Sequence, residues 1–159
     1  MRATVASVVV ATTLDLEPRP PPVDSKPYLL ALDGDDATLR AVAETAVPYY
    51  QARVTRDPRK FLAWLENVEH VGAVVAEHVL RQSTGLALLD ATRKLRPQAR
   101  RVMITTYHDL ASIVAGLHSG AIQHLVQKPF APADLLAAIL PEGIAAAAAD
   151  GQRERRASA

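Results

Sequence analysis

Between residues 27 and 140, short apolar runs alternate five times with segments of helical period, the sequence signature of βα units on a parallel sheet. Tyr28 to Leu32 reads as a buried first strand. The segment after it places Leu39, Val42, Ala43 and Ala46 on one helical face, with Asp35 or Asp36 as N-cap. Gln51 to Thr55 makes a weaker strand, followed by a helix carrying Phe61, Leu62, Trp64 and Leu65. Val71 to Ala76 is a continuous apolar run, as expected where both faces of a strand are covered. The next helix, Gly85 to Leu95, stacks Leu88, Thr92 and Leu95 and stops before Pro97. Arg101 to Thr105 makes a fourth strand. Behind Asp109, the residues Leu110, Ile113, Val114 and Leu117 fall at i, i+3, i+4 and i+7, which predicts a helix with one core-facing stripe. Ile122 to Val126 is the fifth strand, and Pro132 opens a last helix with Leu135, Leu136 and Ile139 inward. This order predicts an α/β fold, flavodoxin-like or otherwise doubly wound, with function at the carboxyl ends of the strands.

The flanks read differently. Residues 1–26 form an amino-terminal arm and a proline-rich linker. Its Val-rich start suits an extra strand or loose arm and is too short to span a bilayer, while Pro18, Pro20, Pro21, Pro22 and Pro27 hold the chain extended. Residues 27–141 form the domain. Residues 142–159 read as an Ala-rich, basic tail, a frayed helical extension with a solvated end. The 159 residues, 49% hydrophobic, suffice for one substantial core. A net charge of +1 gives no global field toward nucleic acid or a membrane surface, so neither is an expected partner. The chain has no cysteine, which removes disulfides, thiol catalysis and Cys-ligated zinc and fits a cytoplasmic protein. The five histidines have no ligand spacing, and neither a Walker pattern nor GxGxxG occurs.

The strand ends carry the specific signal. Asp33, Gly34 and Asp35 follow the first strand, Glu77 ends the third, Thr105 ends the fourth, and Lys128, Pro129 and Phe130 follow the fifth. Taken singly, each has an ordinary role as a turn, cap or solvated residue. Their joint placement, together with the run Arg101–Tyr107, the pair Asp109–Leu110, the pair Gly120–Ala121 and the helix start at Gly85, resembles the receiver domain of response regulators in bacterial two-component signalling. The resemblance covers about Pro27 to Leu140 and implies a (βα)5 flavodoxin-like receiver fold: a five-stranded parallel sheet, order 2-1-3-4-5, with helices on both faces. It also implies a cis bond between Lys128 and Pro129.

In that family an aspartate accepts phosphate from a histidine kinase with a magnesium ion held by two acidic residues. Eight residues before Gly85, the acceptor position falls on Glu77; Asp33 matches the first acidic residue, and Gly34 stands at the second, with Asp35 beside it. Thr105 matches the switch hydroxyl and Lys128 the pocket lysine, while Leu125 falls at the aromatic switch position. One extra methylene displaces the carboxylate of Glu77 by roughly 1–1.5 Å, enough to spoil a positioned phosphoryl transfer. Magnesium wants near-octahedral oxygen ligands, and Gly34 supplies none, so Asp33, Asp35 and Glu77 are candidates for weak binding only. Glu77 is instead expected to pair with Lys128, and Glu77→Gln to strand that lysine at a cost of about 1–3 kcal/mol.

The resemblance therefore implies a stand-alone pseudo-receiver, not an enzyme, acting through a protein partner on the fourth helix, fifth strand and fifth helix, with homodimerisation as a further option. The alternative is a working phosphorelay regulator in which Asp35 or Glu77 accepts phosphate. The 18 or so residues after the last core helix are too few for an output domain, which places the output on another protein.

Overall fold

A computed structural model of the chain describes residues 25–106 and 109–158. The arm and most of the linker, like Tyr107 and His108, lie outside the described residues. The elements run β1 (Tyr28–Leu32), α1 (Asp36–Ala46), β2 (Gln51–Thr55), α2 (Pro58–Asn67), β3 (Val71–Glu77), α3 (Gly85–Leu95), β4 (Arg100–Thr105), α4 (Leu110–Ser119), β5 (His124–Gln127), α5 (Pro132–Ile139) and α6 (Glu142–Ala157). The five strands form one parallel sheet in the order β2-β1-β3-β4-β5.

Side chains alternate across each strand, so the apolar runs feed two cores. Leu29 and Ala31 of β1, with Ala73, Val75, Val102 and Ile104, face α1 and α5. Leu30 and Leu32, with Val74, Ala76 and Met103, face α2, α3 and α4. Helix starts follow the sequence signals: Asp35 caps α1 through Ala37 N–H and Thr38 N–H, Asp57 caps α2 through Arg59 N–H, and Thr84 caps α3 through Ala87 N–H. Gly120, at φ 79°, ends α4 in the left-handed conformation that glycine adopts without strain. Arg101, 6% exposed, spends its guanidinium on the carbonyls of Pro97, Ala99 and Gly120, and so joins the start of β4 to the turn after α4.

Four expectations are corrected. The α4 stripe does not face the core: Ile113 is buried, but Leu110, Val114 and Leu117 are 63%, 58% and 43% exposed. Only one side of α4 packs inward, through Ile113 and Gly116. Leu95 is likewise exposed, lying in the last turn of α3, and Ile122 precedes β5, its N–H bonded to the carbonyl of Gly116. Residues 142–157, expected to fray, form the continuous helix α6. Pro141 separates it from α5 and accepts from the N–H groups of Ile144 and Ala145, while the small side chains of Ala145 and Ala148 let α6 approach the core closely enough to pack. Among the described residues, no helix is long and apolar enough to cross a membrane.

The exposed α4 surface makes a stability contrast. Ile113→Ala is expected to cost about 2–4 kcal/mol in urea denaturation, whereas Leu110→Gln or Val114→Thr should stay within about 0.5 kcal/mol of wild type.

Candidate functional site

Sheet register assembles the site. Leu32 pairs with Ala76, which sets Asp33 next to Glu77; Glu77 pairs with Ile104, so Thr105 lies one residue further along β4; Thr105 pairs with Gln127, so Lys128 follows immediately. The Lys128 N–H bonds the Thr105 carbonyl at 2.8 Å, which closes the edge. Gly85 fixes the other wall. A Cβ there would stand 2.0 Å from the Glu77 carbonyl, so only glycine lets α3 begin this close to the end of β3.

Lys128 Nζ lies between two carboxylates. It is 2.7 Å from Asp33 Oδ2 and hydrogen-bonded to Glu77 Oε2. Asp33 is 1% exposed; its Oδ1 accepts from Asp35 N–H at 2.8 Å, and its Oδ2 makes no aligned hydrogen bond, so its partner is the charge of Lys128. Burial pushes the Glu77 carboxyl above its ordinary value, with Asp33 adding to the rise and Lys128 opposing it. For Lys128, burial disfavours the charge, but the two carboxylates outweigh it and hold the ammonium above its ordinary value. The Lys128–Pro129 bond is cis, as the resemblance implies.

Asp35 stands apart from this cluster. Exposed, it accepts at Oδ2 from the hydroxyl and N–H of Thr38 and at Oδ1 from Ala37 N–H, hydrogen bonds that lower its pKa. Thr105 is fully buried beside the cluster, and Leu125 is partly buried against the α2–α4 core. As it stands, the donor set does not fit a divalent cation. Asp33 and Glu77 already share the Lys128 ammonium, Asp35 is committed to the α1 cap, and Gly34 offers no side chain. Among the described residues, no group of three or more His, Cys, Asp or Glu is placed to hold a metal ion.

These positions match a known family. The sequence profile of the response regulator receiver domain fits residues 31–140. The chain belongs to this family. It is 31% identical over 116 residues to the photosynthetic apparatus regulatory protein RegA of Rhodobacter capsulatus, covering 72% of this chain and 62% of that protein, so this chain spans less than two thirds of its length. Among solved structures, it is similar to a CheY-like response regulator receiver domain protein from Methanospirillum hungatei JF-1 (25% identity, TM-score 0.65, 82% and 99% of the two chains). It is also similar to the signal receiver domain of an HD domain-containing protein from Pseudomonas fluorescens Pf-5 (27%, TM-score 0.65, 71% and 90%). The chain is thus a receiver domain of the two-component response regulator type, a class of signalling module that interacts with protein partners.

Two features of this edge were not singled out from the sequence. Lys128 has a second partner in Asp33, and arginines crowd the strand ends beside Gly34. The first corrects the expected effect of Glu77→Gln, because Lys128 keeps Asp33 when Glu77 loses its charge. That variant should cost less than about 1 kcal/mol, whereas Lys128→Met leaves two carboxylates facing each other and should cost about 2–3 kcal/mol in urea denaturation.

The lysine also sets a pH window. Its folded pKa is raised above 10.5, so its stabilisation is complete below that pH and is lost as pH rises through the folded value. Above pH 10.5, the wild-type urea midpoint should therefore fall more steeply with rising pH than that of Lys128→Met.

Proposed function

We propose that this receiver signals without phosphorylation, docking a protein partner through α4, β5 and α5 in a conformation already closed by Lys128. Glu77 stands in this reading at the phosphoacceptor position, with Asp33, Thr105 and Lys128 as the rest of the pocket. The observation that carries it is the lysine bridge: one ammonium pairs with both Asp33 and Glu77, where a working site would hold a metal and a phosphoryl group. A charged pair already in place leaves no ligand to bias a two-state equilibrium. The exposed Leu110, Val114 and Leu117 support the docking face, since an apolar stripe turned to solvent marks an interaction surface. We place the module in the cytoplasm, on the cysteine-free composition and the kinase-linked family.

The second reading, a working phosphorelay regulator, is favoured by the retention of Asp33, Thr105 and Lys128 at the strand ends. Intact-mass measurement after incubation with acetyl phosphate and magnesium separates the two. Wild type is expected to gain no phosphoryl mass and to show no tight stoichiometric magnesium site by calorimetry. The double variant Gly34→Asp with Glu77→Asp rebuilds acceptor and metal ligand together. A Cβ at Gly34 meets nothing within 4 Å, so the aspartate fits, and the variant is expected to take up phosphate. A phosphorylated wild type, or a folded double variant that stays unmodified, overturns the proposal.

A further inference from the structure

Beside the lysine cluster, Gly34 forms part of a second feature that the signalling role does not use. It lines a cleft of about 490 Å3, with the segment after β2 (Arg56, Pro58, Arg59) and Arg81 of the β3–α3 loop. That volume lies in the range of small-molecule sites. We propose that this cleft binds the diphosphate group of a small molecule.

The charge argues for an anion. Three arginines and one carboxylate, Asp57, line it, and Asp57 Oδ1 is taken by the Arg59 N–H at 2.8 Å. Arg56 is paired only with Asp36, at 3.3 Å between two exposed side chains, a contact worth little in water and easily exchanged. Among the described residues, the side chains of Arg59 and Arg81 have no ion-pair partner. Guanidinium is the cation suited to phosphate, because its fork of N–H donors meets two oxygens at once. Two phosphate groups match three such forks better than a single carboxylate does. The concave shape favours a free small molecule over a flat protein surface. Pro58 and Leu80 add an apolar wall for whatever carries the phosphates. Gly34 keeps the floor open: it has no side chain, and a Cβ there would meet nothing within 4 Å. An aspartate at 34 would put a carboxylate into the cleft and oppose an anion.

The diphosphate has two sources, a nucleotide or free pyrophosphate, and the test separates them. Calorimetric titrations of the full chain with ADP, inorganic pyrophosphate and adenosine, without magnesium and at low salt, are expected to show binding of the two diphosphates and none of adenosine. ADP binding more tightly than pyrophosphate assigns the site to a nucleotide, and equal affinity assigns it to the free diphosphate; both support the cleft. Arg59→Gln with Arg81→Gln should weaken binding about tenfold or more, as should Gly34→Asp, which touches no arginine. Failure of both diphosphates to bind at millimolar concentration, adenosine binding as well as ADP, or affinity unchanged in the folded double-arginine variant overturns the proposal.

Discussion

One ammonium held between a buried carboxylate and a partly buried one is the constraint on which this edge of the molecule depends. Lys128 ties together the ends of β1, β3 and β5, three strands that are not all neighbours in the sheet. Without it, Asp33 and Glu77 would face each other in a nearly closed pocket, where desolvation and like charge both work against ionisation. The cost of burying the lysine is offset by having two partners instead of one. That shared arrangement also makes the two carboxylates unequal in consequence: losing one leaves an ion pair, and losing the lysine leaves a repulsion.

The rest of the architecture serves to place those three groups. Parallel register sets Asp33 against Glu77 and carries the β5 end to the same edge, and the close approach of Gly85 holds the end of β3 in place. The helices divide their labour. α1, α2 and α3 pack their apolar residues onto the sheet, whereas α4 buries Ile113 and turns the rest of its stripe to solvent. Rigid support behind the pocket and an apolar face beside it are what a module needs if its signal is a docking surface instead of a chemical step.

The charge pattern on the two sides of Gly34 follows from the same absence. On one side, Gly34 adds no charge to the cluster of Lys128, Asp33 and Glu77. On the other, it leaves three arginines lining a cleft without an acidic residue at 34 to balance them. A single glycine thus changes the electrostatics of both cavities, since a charge at this position would act over the few ångströms that separate groups at a strand end.

The sequence by itself determined the five βα units and which residues end the strands, because apolar runs of five to seven residues flanked by capping and turn residues leave few other solutions. It also placed Glu77, Thr105 and Lys128 on one edge, since parallel strands connected through helices bring their carboxyl ends together. Tertiary structure decided the rest. Periodicity alone made Leu110, Val114 and Leu117 core residues, but which side of a helix is covered is set by how it packs in the fold, and α4 turns only Ile113 and Gly116 inward. The alanines of residues 145–149 read as a frayed helical extension, and their packing was not legible because small side chains carry little hydrophobic signal, yet that smallness is what lets α6 pack. The pairing of Lys128 with Asp33 as well as Glu77 depends on side-chain reach across residues some 95 and 51 positions apart, a distance that only the folded sheet closes.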